Sequence, residues 1–231
     1  MKARKILVSL AALALVAAIS IGGTIAYLTS QQTVTNTFSV GNVKITMDEA
    51  KVNQDGEQLY YAGGEENANT EYSNVKEEGY VEAKRVQANG YKLMPGHTYT
   101  KDPIIHVDTA SEDCYLFVTI KNEITAIEAT GKTVADQMKA NGWAEVTGKS
   151  NLYVYVGKNA AADALPLAVA KGTNVNVFEQ IVIADTVDDV SGYLNKTIVV
   201  NAYAVQKDGF VGKTATEIWA AAFNSVTLPT A

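Results

Sequence analysis

Apolar and polar side chains alternate along much of this chain, and the alternation predicts a mainly β protein. The period of two that a half-buried strand requires is clearest at 43–47 and at 196–206. The strand at 196–206 is apolar on both faces, so we expect it to lie in the centre of a sheet. Weaker alternation or short apolar runs predict further strands at 38–40, 58–61, 79–86, 103–108, 115–124, 152–156, 165–170 and 175–183.

Two short helices interrupt the strands. The first is predicted at 133–141 and ends before Gly142, a natural left-handed C′ residue, with Trp143 folding back on Met138. The second begins at the capping box 214–217, Thr-Ala-Thr-Glu. Many short strands with only two small helices indicate an antiparallel β-sandwich. The chain has no internal repeat and no Pro- or Ser-rich linker, so we expect one domain over 27–231.

Two loop segments have a distinct composition. The segment 48–90 carries ten acidic residues and predicts a long, mostly exposed excursion. Calcium binding there is one possibility, but no D-x-[DN]-x-[DN]-G spacing occurs, which favours a solvated acidic loop. At 93–96, Pro95 and Gly96 occupy the central positions of a predicted type II turn.

The first 26 residues have the layout of a secretory signal peptide. A positively charged start, with Lys2, Arg4 and Lys5, precedes the uncharged run 6–21. The small side chains of Thr24 and Ala26, at the −3 and −1 positions, then suit cleavage between Ala26 and Tyr27. The alternative is a retained membrane anchor, but a spanning helix needs about 20 apolar residues and this run is shorter. We therefore expect a secreted protein with no membrane anchor after processing.

The charge and the cysteine content exclude some binding partners and some ways of stabilising the fold. The chain has 25 acidic against 19 basic residues, and cleavage after Ala26 would remove three of the basic ones. Such an acidic protein is unsuited to nucleic acid, whose binding requires Lys and Arg at the phosphates. The single cysteine, Cys114, excludes an intrachain disulfide. Cys114 could be a reactive thiol, but its apolar surroundings favour a small buried hydrophobe.

No catalytic or cofactor motif is present in the sequence. The two histidines, His97 and His106, are nine residues apart without an H-E-x-x-H motif, so no zinc or other metal site is predicted. The chain also lacks G-x-S-x-G, a P-loop and G-x-G-x-x-G, and we expect no enzyme activity and no cofactor. Twelve tyrosines allow glycan stacking, although tyrosine is also common in strands. The terminal Leu-Pro-Thr-Ala at 228–231 lacks the glycine of a sortase motif.

Two blocks of sequence resemble the TasA/camelysin family, which comprises secreted biofilm-matrix proteins of Firmicutes with a SipW-type signal peptide. The first block is the Gly-rich end of the signal peptide with the first mature residues, at 22–29, followed by Asn-Thr-Phe-Ser-Val-Gly-Asn-Val-Lys-Ile at 36–45. The second is Leu-Met-Pro-Gly at 93–96 with the strand after it. The resemblance is good over the first 47 residues and moderate over 93–124. His97 stands where the family often has an acidic residue.

The resemblance implies a jelly-roll-like β-sandwich that assembles into extracellular fibres by donor-strand exchange. In that process the mature N-terminus of one subunit completes a sheet of the next. The uncharged segment that begins at Tyr27 suits this role, because it can add to a sheet edge through backbone hydrogen bonds. Its candidate donor residues are Tyr27, Leu28, Thr29, Ser30 and Val34. Some members are described as metalloproteases, an activity that we do not carry over without a zinc motif.

Two functions therefore remain open. The first is a structural subunit of matrix or cell-surface fibres, whose main partner is another copy of itself and whose further candidate partners are other matrix or cell-surface components. The second is a monomeric cell-surface module that binds a ligand or glycan. Pairing of the N-terminal segment within its own subunit, or fraying of that segment, is the alternative to donation.

Overall fold

The computed structural model describes residues 42–161 and 163–230, and within them the chain is mainly β with two short helices, as predicted. The cleavage site, the proposed donor residues and the predicted strand at 38–40 lie outside these residues. The strands are β1 (Ile45–Asp48), β2 (Tyr60–Tyr61), β3 (Val81–Glu82), β4 (Thr98–Thr100), β5 (Ile104–Val107), β6 (Cys114–Asn122), β7 (Trp143–Glu145), β8 (Leu152–Tyr155), β9 (Asn174–Asn176), β10 (Gln180–Val182) and β11 (Ile198–Gln206). The helices are α1 (Val134–Ala140) and α2 (Ala215–Ala222).

The first sheet has the strand order β1-β5-β9 and is antiparallel throughout. The pair β4-β10 continues the same register, since Ile104 faces Asn176 and Thr100 faces Gln180. The ladder is interrupted at Pro103, which has no N–H to donate. The strand predicted at 175–183 is therefore split into β9 and β10 by the partner that it faces.

The second sheet has the order β11-β6-β8-β7 and is also antiparallel. Its long strand β6 is buried from Cys114 to Ile120 on both faces. Leu116 and Val118 enter the core shared with Ile105 of the first sheet. Tyr115 and Phe117 enter a second core beneath α2. The antiparallel sandwich thus has a third layer, formed by the C-terminal helix.

Both helices are fixed by capping boxes. In α1 the Thr133 hydroxyl accepts from the Asp136 amide, and the Asp136 carboxylate accepts from the Thr133 amide. The same reciprocal pair joins Thr214 and Glu217 at α2, as predicted. Gly142 follows α1 with φ +94°, which confirms its C′ role.

One predicted strand is absent. The segment 165–170 forms no strand: Pro166 cannot donate to a ladder, and only Val169 makes a bridge, to Cys114. The short strands β4 and β7 were not predicted. Trp143 shares the main core with Met138, as its expected place beside α1 requires, and it also begins β7.

The predicted turn at Pro95–Gly96 is confirmed. Gly96 has φ +66°, and the His97 amide donates to the Met94 carbonyl at 3.3 Å. Cys114 is fully buried, and burial raises its pKa to about 11, which agrees with a structural rather than a reactive thiol.

The acidic segment 48–90 is more structured than a solvated loop. It holds the two-stranded sheet β2-β3, and its residues Ala50, Val52 and Ala83 are buried. Glu49, counted among the exposed acids from the sequence, is only 4% exposed. A carboxylate can be buried when it is paired with an opposite charge. Glu49 pairs with the ammonium of Lys101, which lies 52 residues away in the chain.

No helix among the described residues is long and apolar enough to cross a membrane.

Candidate assembly edge

Among the described strands β11 lies at the edge of the second sheet, whereas a central position was predicted. Within the described residues it pairs with β6 alone, over the full register from Ile198–Asn122 to Gln206–Cys114. Both faces of β11 are apolar because each is covered by another layer: the first sheet covers one face and α2 covers the other. Apolar residues on both faces therefore do not require a neighbouring strand on each side.

The open edge of β11 is formed by its even-numbered residues. At one end of the ladder Glu123 N donates to Thr197 O at 3.1 Å, and at the other Lys207 N donates to Asp113 O at 2.8 Å. Because hydrogen-bonded pairs alternate in an antiparallel ladder, the odd residues between them bond to β6. The amides and carbonyls that face away from β6 belong to Ile198, Val200, Ala202, Ala204 and Gln206.

A second open edge lies nearby, on β1. Asp108 N donates to Lys44 O at 3.0 Å. Because hydrogen-bonded residues alternate along an antiparallel ladder, Thr46 and Asp48 also form their backbone hydrogen bonds with β5. The amides and carbonyls of Ile45 and Met47 therefore face away from β5. Among the described residues no other strand pairs with β1.

The two edges border one groove of about 340 Å³. Its lining comes from β1 and β11 and carries no charged side chain: Ile45, Thr46, Met47, Val200, Asn201, Ala202 and Tyr203. The even residues of β11 pack their side chains against the main core at this point. An occupant of the groove would thus meet unpaired backbone groups and apolar side chains together, which are the two requirements for adding a strand.

A larger groove of about 940 Å³ lies beside the first and shares Met47 and Val200 with it. The larger groove is lined by the start of β11 and by the 190–196 loop, where Leu194 is exposed. The segment 87–93 also lines it. The edge of β11 therefore borders one groove or the other from Ile198 to Tyr203.

The outer face of the second sheet is closed by aromatic packing. Trp219 of α2 lies 5.4 Å from Phe117, 5.3 Å from Tyr203 and 4.9 Å from Phe223, measured between ring centroids. Trp219 and Ile218 are buried. Within the described chain, the second sheet is therefore accessible to another strand at its edge, and this face is covered.

The proposed cleavage residues Ala26 and Tyr27 and the proposed donor residues Leu28, Thr29, Ser30 and Val34 lie outside the described residues, so their role stays a prediction. The described chain starts at Asn42, whose carbonyl accepts from the Glu112 amide at 3.1 Å.

The two histidines serve separate local contacts. His97 bonds through Nε2 to the Asp55 carbonyl at 2.8 Å. His106, in β5, bonds through Nε2 to Asp48 and through Nδ1 to Asn174. No cluster of three potential metal ligands occurs in the part of the chain that the structure describes.

Asp48 is the hub of an ion-pair network at the base of the acidic segment. Arg85 bonds to the carboxylates of both Asp48 and Asp102, and His106 bonds to Asp48 at 3.0 Å. Burial opposes ionisation of Asp48, but the hydrogen bonds and charges of His106 and Arg85 outweigh it and lower its pKa. The network ties the excursion to β1 and β5.

The tyrosines of the acidic segment are engaged within the chain. The Lys51 ammonium lies 3.8 Å from the centroid of the Tyr72 ring, and Tyr72 also packs edge-on against Tyr61 at 6.4 Å. Lys76 lies over the Tyr60 ring at 5.7 Å. These cations occupy ring faces on which a sugar would have to stack.

Sequence reasoning missed the open edge because edge position is set by pairing partners and not by hydrophobic pattern. The alternation at 196–206 located the strand and both of its faces correctly.

A comparison with family models, with curated proteins and with solved structures found no match for this chain.

Proposed function

We propose that this chain is a secreted structural subunit of extracellular matrix or cell-surface fibres, which assembles when the N-terminal segment of one copy adds to the open edge of β11 in the next. The observation that carries the proposal is the nine-residue edge of β11, whose five even residues face away from β6 beside an uncharged groove. An unpaired edge of this length is a template for another strand.

The composition of the N-terminal segment matches the groove. Residues 27–40 carry no charged side chain, and neither does the groove lining. The larger apolar side chains of the segment, Leu28, Val34, Phe38 and Val40, all stand at even positions. In an extended strand they share one face, so they can enter the groove while the intervening polar residues face outward.

The segment is also long enough to reach another copy. At about 3.3 Å per residue, the fourteen residues 27–40 extend over roughly 45 Å when fully stretched. Backbone hydrogen bonds would supply affinity, and the alternating side chains would supply register. Export and cleavage after Ala26 would free this segment, which links the proposed secretion to assembly.

The test compares three forms of the secreted protein by electron microscopy and sedimentation. We expect the full mature chain to form fibres, and a form lacking residues 27–35 to remain a folded monomer. Val200→Lys, which places a charge in the groove, should also remain monomeric. Val199→Lys is the matched control, because Val199 is 41% exposed on the other face of the same strand.

Normal fibres from the form without residues 27–35, or from Val200→Lys, would contradict the donor-strand proposal. A monomeric full chain that binds an immobilised glycan would favour the alternative of a ligand-binding module. In that case, mutation of Tyr61 or Tyr80, the tyrosines of 58–80 over which no lysine lies in the described chain, should abolish the binding.

A further inference from the structure

Glu49, Asn89 and Lys101 form a polar cluster around a buried carboxylate, between the acidic segment and the first sheet. The two oxygens of the Glu49 carboxylate contact different partners. Oε2 accepts from Lys101 Nζ at 2.6 Å, and Oε1 accepts from Asn89 Nδ2 at 2.9 Å. The Glu49 and Lys101 side chains are only 5% and 11% exposed. An amine and a primary amide thus share one buried carboxylate.

We propose that Lys101 and Asn89 condense into an intramolecular isopeptide bond, with Glu49 as the proton carrier. The three groups are the complete set that this reaction needs: a nucleophilic amine, an electrophilic amide carbon and a carboxyl group that transfers the proton. The proposal is independent of fibre assembly, because all three residues belong to one subunit.

The amide of Asn89 is held and polarised by backbone groups. Its Oδ1 accepts from the Val52 amide at 3.1 Å, and its Nδ2 also donates to the Ala50 carbonyl at 2.8 Å. The Val52 N–H points at the oxygen on which negative charge develops when an amine attacks the carbonyl carbon. These bonds also fix the amide plane, so that attack needs little reorganisation.

The amine of Lys101 is poorly solvated. An ammonium has three N–H donors, yet within the described residues Nζ makes one hydrogen bond, to Glu49. The nearby Tyr91 ring, 5.9 Å away, adds apolar area to the same surroundings. A buried ion pair costs desolvation of both charges. In the proposed reaction, transfer of the proton from Lys101 to Glu49 gives a neutral pair and frees the amine lone pair for attack.

The reaction balances without an oxidant or another reactant. The Lys101 Nζ lone pair forms a bond to Asn89 Cγ. Glu49 gives the first amine proton to the departing Nδ2 and takes the second amine proton from Nζ, so that its carboxyl group is protonated at the end. The Cγ–Nδ2 bond breaks and ammonia leaves. The groove of about 940 Å³, which is lined by all three residues, offers ammonia a path to solvent.

The product would covalently close the loop 90–100 in a protein whose only cysteine cannot form an intrachain disulfide. The cross-link would hold the end of the acidic excursion to the chain between β4 and β5.

The test is intact-mass and peptide mass spectrometry of the secreted full chain. We expect the mass to be lower than the sequence predicts by one ammonia. A tryptic digest should contain a branched peptide that joins 86–92 to 93–121, because a modified Lys101 is not cleaved. Lys101→Arg and Glu49→Gln should each restore the full mass. Lys51→Arg is the matched control and should retain the deficit, since Lys51 pairs with Glu66 without an adjacent amide partner.

A wild-type chain with its full sequence mass would overturn the proposal. So would a deficit that persists in Lys101→Arg and maps to an unbranched peptide. Asn89 precedes Gly90, and an Asn-Gly pair can lose ammonia by forming a succinimide, which requires no lysine.

Discussion

Gly56 lies directly against Tyr99: a Cβ atom at Gly56 would stand 2.5 Å from the Tyr99 Cα. Tyr99 is fully buried, and its hydroxyl donates to the Lys92 carbonyl at 2.6 Å while it accepts from the Met94 amide at 2.7 Å. The contact therefore sets the turn at 53–57 against β4. Gly56 also has φ +75°, so two independent constraints favour glycine there.

We expect Gly56→Ala to lower the free energy of unfolding by about 2–4 kcal/mol, since it adds a backbone clash to left-handed strain. Gly64→Ala is the control. Gly64 has φ +91° but open space around its Cα, so it should lose only about 1–2 kcal/mol. Urea denaturation of both variants measures the difference. Equal losses would show that the Tyr99 contact carries no cost.

Trp219→Ala should lower the free energy of unfolding by about 3–5 kcal/mol, because it removes the buried ring that joins α2 to the second sheet. Val211→Ala serves as the control, since Val211 is largely exposed and should change stability by less than about 0.5 kcal/mol. Thermal unfolding followed by circular dichroism measures both. A small effect of Trp219→Ala would mean that α2 is dispensable for the sandwich.

Asp48→Asn should destabilise the protein at neutral pH by about 1–2 kcal/mol, because it weakens charged hydrogen bonds that are partly solvent-screened. The pKa of Asp48 is lower in the folded chain than its ordinary value of 3.8. The stabilisation by the carboxylate is therefore present above that value and is lost as the pH falls through the folded pKa. Wild type and variant should converge in urea denaturations performed in acid, and a constant difference would be inconsistent with this origin.

Glu128 predicts the opposite dependence on pH. It is buried, one of its carboxylate oxygens has no hydrogen-bond partner among the described residues, and the other accepts from the Val134 amide. Burial raises its pKa above the ordinary 4.5, although the nearby Asn122 amide and the hydrogen bond from Val134 act against this. A raised pKa adds stability below the unfolded-state value, and that stability is lost as the pH rises through the folded value.

Glu128→Gln removes this titration. We expect the stability of wild type relative to the variant to fall as the pH is raised from about 4 to about 7. The slope is the informative quantity, because any cost of burying the new amide is independent of pH. Parallel pH profiles for the two proteins would contradict the prediction.

The hydrophobic pattern predicted most of the long elements. The alternation at 196–206 and the capping box at Thr214 depend on local sequence, and both reappear in the structure. The edge position of β11 could not be predicted, because two faces buried by different layers give the same apolar pattern as a central strand. Likewise, the break between β9 and β10 depends on Pro103, which is distant in sequence from both strands.

The cluster of Glu49, Asn89 and Lys101 could not be predicted from the sequence pattern for a related reason. Glu49 is one of ten acidic residues in the segment 48–90, and the composition of that segment alone suggests exposure. Its partners Asn89 and Lys101 lie 40 and 52 residues further along the chain. Only the fold brings an amine, an amide and a carboxylate together, so chemistry between them leaves no motif in the sequence.

The helix α2 has a consequence for the geometry of any polymer. Sheets that expose an apolar face can stack in layers and thicken sideways, whereas sheets that offer only an edge grow in one dimension. By laying Trp219 and its neighbours over the outer face of the second sheet, α2 withdraws that face from stacking. If the proposed fibre forms, we expect it to lengthen without bundling, because Trp219 would keep the outer face of one subunit from stacking on another.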